Sequence, residues 1–566
     1  NLNVKGTLNN NRFANTGAIY SAAAYNPTIP VMSGSGDFGG YTEALDNTGT
    51  PSIAGQVMNP LGLVEQNTSE SHVSRLVGNF DIDYRMHFLP ELRAHLTLGY
   101  DNASGKGTVY VPDHAAQYYT SGGRDYEYGP QKNTNQLLTF YLNYTKDFPS
   151  IRSRIDVTAG YDYQKWISKS PAYAEKNVAG AVQSTYSASD QRHVLLSFYG
   201  RLNYSFASKY MLTATLRRDG SSRFSKDNRW SLFPSVALAW RISEENFLKD
   251  SRTLSNLKLR LSYGETGQQD GIGNYGYLPM YTLSQDGAQY QFGDKYYYTY
   301  RPEAYVSNLK WETTQSYNIG LDFGFLNERI NGSIDYYNRK THDLLATVPS
   351  PAGANFGKVI TTNVGNMKSD GVEFTINATP VMTKDWKWDV SYNVTWQSVK
   401  ITNLSLAGGN SSTMSYVGQA FDDTYLQIMK EGYAPYTFYL HKQVYDSNGK
   451  PIEGMYADLN DDGEINTADL YCANSPNPDF LMGFSSNLSY KKWSLGFSLR
   501  ASLGNYAYNG TSMNMGALGV VSWNPFQINN MSASYLETGF NGSQYLSDYY
   551  LEDASFLKMD NITLGY

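Results

Sequence analysis

The residue run with the most specific chemistry is Asp458-Leu-Asn460-Asp-Asp462-Gly463-Glu464-Ile-Asn466-Thr-Ala-Asp469. Oxygen-bearing side chains stand at its positions 1, 3, 5, 9 and 12, Gly463 occupies position 6, and the carbonyl of Glu464 falls at position 7. That is the spacing with which an EF-hand-like loop wraps about six to eight oxygens around Ca²⁺. The last ligand is Asp469 where Glu is usual, which shortens its reach. An ion held this way would stiffen the long stretch 401–479 rather than catalyse, and an acidic turn without metal is the plain alternative. Tyrosine supplies the second constellation. Tyr118 and Tyr119, with Tyr126 and Tyr128, crowd the stretch 104–135, and Tyr275, Tyr277, Tyr290, Tyr296, Tyr297 and Tyr298 crowd 266–304. A Tyr ring offers a rigid apolar face with a hydrogen-bonding tip, which suits sugar rings or peptide backbones. Packing of loop on loop would use the same residues. Gly271-Ile-Gly273-Asn-Tyr-Gly276 fits the dinucleotide fingerprint, but no helical pattern follows it, so it reads as a flexible loop. No nucleophile elbow, metalloprotease helix or phosphate-binding loop is present, and the sequence carries no reason to expect an enzyme or an organic cofactor.

The elements that position these residues show a period of two. Leu76, Gly78, Phe80, Ile82, Tyr84 and Met86 alternate with Asn79, Asp81, Asp83, Arg85 and His87, and the pattern resumes from Leu92. About fifteen such segments recur to the end of the chain, the last at 556–566, with no amphipathic helix between them. Their connections alternate between tight links and stretches such as 104–135, 167–192, 266–304, 341–369, 401–479 and 505–552. Compact soluble domains rarely hold even one unstructured loop beyond ~12–15 residues. Two-faced strands of ~9–11 residues or more, short turns at one end and long loops at the other describe an all-β, transmembrane antiparallel β-barrel with short periplasmic turns and long extracellular loops. Tyr100, Tyr163, Trp166 and Tyr263 lie where strands enter long loops, and Trp386 and Trp493 follow short turns, as two interfacial girdles would. On the other face Asp81, Asp83, Arg85, His87, Arg93, His95, Asp156, Asp162, Asp322, Asp335 and Glu373 would line a wet lumen. Composition agrees. The 566 residues are 41% hydrophobic but only 17% charged, with 49 Tyr, a formal charge of -7 and a single cysteine, Cys472. These counts exclude a disulfide scaffold and a Cys-based zinc site, and they give no reason to expect a nucleic-acid partner.

Leu216-Arg-Arg-Asp219-Gly220-Ser-Ser-Arg223-Phe224, Trp230-Ser-Leu-Phe-Pro234, Leu309-Lys-Trp311-Glu312, Asn363-Val-Gly-Asn366, Asp458-Leu-Asn460-Asp-Asp462-Gly463, Asn477-Pro478-Asp479-Phe480 and Glu552-Asp553-Ala-Ser555-Phe556 follow one another along the chain. In this order they resemble the SusC/RagA family of TonB-dependent outer-membrane transporters of Bacteroidetes. The resemblance implies a barrel of about 22 strands occluded by a plug, of which residues 1–566 would be a partial barrel, the plug and final strands lying outside them. It also implies the outer membrane and its lipid as surroundings, energy from TonB through an N-terminal region, a SusD-like lipoprotein lid, a dimer of that two-protein complex, and a glycan or peptide as cargo. Import is then the expected function. A surface-exposed binding or adhesion barrel without transport is the alternative, and plug-like sequence encoded upstream would favour import. A hydrolase using carboxylates at the rim of the lumen is a third reading, expected to release no product.

Overall fold

The computed structural model describes residues 1–51, 57–284, 286–349, 357, 359–404, 414–421, 424–522 and 528–566. Sixteen strands form one sheet in which every pairing is antiparallel and joins neighbours in sequence. They are β1 Leu2–Phe13, β2 Thr68–Arg85, β3 Leu92–Val111, β4 Arg124–Phe148, β5 Ser153–Ser170, β6 Ser189–Phe206, β7 Tyr210–Ser221 and β8 Trp230–Arg241, then β9 Leu254–Gln268, β10 Glu312–Phe325, β11 Ile330–His342, β12 Gly365–Met382, β13 Trp386–Leu404, β14 Phe480–Tyr490, β15 Trp493–Leu503 and β16 Phe556–Gly565. The fifteen segments expected from alternation each coincide with one of these. The additional strand is β1, where only Leu2, Val4 and Leu8 alternate among asparagines, residues poor in β-propensity.

Register carries each face from strand to strand. Phe80 pairs with Leu98, Leu98 with Leu138, Leu138 with Tyr163 and Tyr163 with Leu196. One position along, Asp81 pairs with Thr97, Thr97 with Thr139, Thr139 with Asp162, Asp162 with Ser197 and Ser197 with Asp219. A slip of one residue would exchange the two faces entirely. Leu76, Phe80, Leu98, Phe140, Phe198, Leu216, Leu238 and Ile319, all on the first face, are exposed. An apolar face of this extent belongs against lipid, not water. Aromatic residues bound it at both ends. At the short-turn end Trp386 stacks on Tyr490 at 4.2 Å, and Tyr210 lies between Phe206 and Trp240. At the other end Tyr263 packs on Tyr317 at 5.0 Å.

Glycine and tyrosine are abundant partly for one reason. The ring of Tyr199 lies over Gly160, that of Tyr337 over Gly371 and that of Tyr128 over Gly107, so that a Cβ on any of these glycines would stand within 2.4 Å of the ring. Each aromatic covers backbone that its glycine leaves bare.

The long connections are shorter than alternation suggested, because the strands continue past the point where hydrophobic periodicity stops. Residues 104–111 and 124–132 remain paired, Gly107 with Tyr128 and Tyr110 with Asp125, leaving only 112–123 as connection. Both faces are polar there, so the ladder persists without an apolar signature. Residues 401–479 are likewise not one open loop. They continue β13 to Leu404 and contain a four-stranded sheet built from Met414–Phe421, Thr424–Lys430, Thr437–His441 and Leu470–Cys472. The connection from β15 to β16 packs on this sheet through Leu426, Phe438 and Leu440 against Tyr506, Tyr508, Leu546 and Leu551. Asp548 ties the two, accepting from Gln443 N at 2.8 Å and from the Tyr471 hydroxyl at 2.7 Å.

The first and last long connections also meet. Ala24, Tyr25 and Val57 form a small core with Met515, Asn26 Nδ2 donates to Ile528 O at 2.8 Å, and Asn530 donates through its backbone N to Ala24 O and through Nδ2 to Ala23 O.

Candidate functional site

The polar face is a ladder of matched charges. Arg75 on β2 grips Asp101 on β3 with two parallel bonds, Nε to Oδ1 at 2.8 Å and Nη2 to Oδ2 at 2.6 Å. Arg217 on β7 joins Asp162 and Asp219 and donates to Ser197 Oγ at 2.8 Å. Arg260 on β9 spans Asp322 at 2.7 Å and Asp335 at 2.9 Å on the next two strands. Asp156 gathers Asn143, Thr145 and Asn203. Alternation places these groups on one face, and the flat guanidinium suits bidentate carboxylate pairing. The strand charges expected in the lumen lie on this face, with one exception. His87 sits in the turn after β2, its Nδ1 at 3.1 Å from the hydroxyl of Tyr84.

Toward the long-connection end the polar face forms a cavity of about 600 Å³. Its walls come from β1 to β6, and residues 223 and 274 from two connections reach over it. Trp166 and His193, directly paired across β5 and β6, stack with ring centroids 4.3 Å apart and planes 12° from parallel. Trp166 is therefore not part of the aromatic girdle. It is even-numbered in a strand whose lipid-facing residues, Ile155, Val157, Ala159, Tyr161 and Tyr163, are odd, and it shares its face with Asp162. Around the two rings stand Arg75, Asp101, Asn133, Asn135, Gln191 and Asn274.

Arg223 closes one side. It donates to Asn274 Oδ1 at 3.2 Å, Gln269 O at 3.1 Å and Asp270 Oδ1 at 3.1 Å. Its neighbour Phe224 is fully buried with Leu309, Trp311, Ile272 and Phe233, the Phe224 and Trp311 rings 5.1 Å apart. The Arg-Phe pair thus fastens residues 269–276 over the sheet. The glycine-rich run is part of that fastening, with Gly271 at φ +87° and turns rather than a helix behind it.

The tyrosines singled out by type do not converge. Tyr118 lies under the Arg124 guanidinium at 4.1 Å, and Tyr119 meets Phe38 edge-on at 5.3 Å. The Tyr275 hydroxyl accepts from Arg192 N at 3.2 Å, while Tyr277 is half-buried. Tyr290 and Tyr297 face each other in a small hairpin, and they, Tyr296 and Tyr298 are exposed.

The acidic run forms a closed turn. Gly463 takes φ +83°, and Asp458 accepts from the N–H of Asp462 and Gly463, Asp462 from Glu464, and Asn466 from Ala468. Asn460 Oδ1 accepts from Asp462 N as well. Asp469 is buried and accepts from Asn466 N at 2.9 Å and Leu459 N at 2.8 Å, bonds that hold its carboxyl below the ordinary value. Hard oxygen donors at this spacing fit Ca²⁺ in kind. Among the described residues, however, no three His, Cys, Asp or Glu side chains converge as a metal cage.

Comparison with known proteins bears on the whole assembly. Residues 9–554 match the family model described as TonB dependent receptor-like, beta-barrel. The chain belongs to the TonB-dependent receptor family. It is 42% identical to the TonB-dependent receptor SusC of Bacteroides thetaiotaomicron over all of the chain and 58% of that protein, which bears out the SusC/RagA resemblance. It is 31% identical to the TonB-dependent receptor P3 of Formosa agariphila, over 91% of the chain and 53% of that protein. The fold matches the structure of the RagAB peptide transporter with a TM-score of 0.76 at 22% identity, across all of the chain and 63% of that one. The chain thus spans somewhat more than half the length of the relatives it matches. TonB-dependent receptors are outer-membrane β-barrels, a family of receptors and transporters rather than enzymes.

Proposed function

We propose that the complete protein imports oligosaccharides or oligopeptides across the outer membrane, driven by TonB and working with a SusD-like surface lipoprotein. One observation carries the reading: a wide sheet with a lipid-type face on one side carries on the other an ion-paired polar face that leads to an aromatic-walled cavity beneath fastened connections. A barrel built only for display would need no such interior. The barrel supplies the conduit, and the plug and TonB contact belong to the further length that its relatives possess. Binding would begin at the long connections and end in passage along the polar face. The test is deletion of the gene in a strain lacking other SusC-like transporters, followed by growth on defined oligosaccharides and peptides. Growth should fail on at least one substrate and return with the intact gene. Unchanged growth on all of them would leave the adhesion reading.

We also propose that the 458–469 turn takes Ca²⁺, with Asp458, Asn460, Asp462, the Glu464 carbonyl, Asn466 and Asp469 as its ligand set. The ion would supply rigidity to the folded unit within 401–479 and no chemistry of transport.

A further inference from the structure

We propose that the cavity between β1 and β6 is a subsite for neutral oligosaccharides, with the indole of Trp166 as the platform on which a sugar ring stacks. This rests on the import reading and narrows its cargo. The volume, about 600 Å³, falls within the ~300–1,000 Å³ of small-molecule sites. His193 backs the indole ring at 4.3 Å and nearly parallel, fixing it as a flat, rigid wall. A pyranose has a face of C–H groups that lies flat on such a wall and a rim of hydroxyls that needs partners in the ring plane. Those partners are present. Asn133, Asn135, Gln191 and Asn274 line the cavity with amides; the oxygens of Asn135, Gln191 and Asn274 accept from Gln164, Asn274 and Arg223, which turns their remaining N–H groups to a ligand as donors.

The charges argue for a neutral ligand. Arg75 is paired through Nε and Nη2 with the Asp101 carboxylate, and Arg223 is engaged through Nε and Nη1 by three oxygen acceptors, the Asp270 carboxylate among them. A uronate, a sulfate or a peptide terminus would find each guanidinium already neutralised by a carboxylate, Asp101 or Asp270, whose own charge repels it. An extended peptide would find no open backbone edge along β2 to β6, which supply most of the wall and are hydrogen-bonded to a strand on each side. Addition of a strand, the commonest way to hold an extended peptide, is closed to them.

The complete transporter, purified from the outer membrane, would be equilibrated with three pools: neutral gluco-, fructo- and manno-oligosaccharides, uronic-acid oligosaccharides, and a tryptic peptide digest. Mass spectrometry of the free pool reads what is retained. Wild type should retain members of the neutral pool, Trp166→Ala should weaken that retention by about tenfold or more, as loss of a central aromatic contact does, and Trp166→Phe should keep most of it. Heat-modifiable migration of each variant establishes that its barrel is folded. Equal retention by Trp166→Ala would overturn the subsite. Retention of only acidic glycans or peptides would overturn the neutral class while leaving import intact, and deletion without any uptake phenotype would remove import and the subsite together.

Discussion

In β5 the lipid-facing residues are odd and Trp166 is even, and that single step of parity moves a tryptophan from a membrane girdle to the wall of a cavity. The information was in the sequence, since counting from Tyr163 suffices. Arg223 and Phe224 were legible only as a motif, because what they fasten lies some fifty residues on. The loop tyrosines are less legible from residue type alone: Tyr118 lies under Arg124, Tyr119 meets Phe38, and Tyr290 faces Tyr297 in an exposed hairpin. Glu43 carries a prediction of its own. Burial pushes its carboxyl up to about 7, although both oxygens lie near the N–H of Asn59. A raised carboxyl favours the folded state most below the unfolded value near 4.5 and loses that contribution as pH climbs through about 7. The protection factors of the Leu61 and Gly62 amides, whose N–H groups are capped by Asn59, should therefore fall over that interval, and Glu43→Gln should hold them level. For the 458–469 turn, chelator should speed proteolysis within 401–479 and added Ca²⁺ should slow it, with Asp458→Ala insensitive to either; cleavage indifferent to chelator in the wild type would rule the ion out.

At the scale of strands, alternation located fifteen of sixteen elements because lipid on one side and water on the other write hydrophobicity directly into every second residue. It lost the outer extensions of β3 and β4, where both faces are polar and only backbone bonds hold the ladder. The glycine positions under aromatic rings give a test of how tightly the sheet is built. Gly371→Ala would place a methyl within 2.3 Å of the Tyr337 ring, which is buried and has little room to withdraw. We expect about 1–3 kcal/mol of destabilisation, the usual range for overpacking, read as a lower unfolding midpoint in urea. Gly273→Ala, in a connection with open space around it, should leave the midpoint where it is.

For the molecule as a whole, the sheet and its connections form different kinds of structure. The sheet is built from neighbours in sequence, whereas the connections are joined across the chain: 401–479 to 504–555 through Asp548, and the first connection to the last through Asn26 and Asn530. Alternation cannot report such contacts, which depend on where loops end up in space. Replacing Asn26 and Asn530 together by Ala should raise amide exchange in residues 17–26 and in 528–532 alike; a change confined to one segment would mean that the two do not support each other. The same contact has a consequence in time. Residues 26 and 528 are 502 positions apart, and at ~5–20 residues per second the ribosome needs roughly half a minute to two minutes to make the second after the first. Throughout that interval Ala24, Tyr25 and Val57 have no Met515 to cover them. The small core at this rim therefore cannot close until residue 515 and those after it have been made.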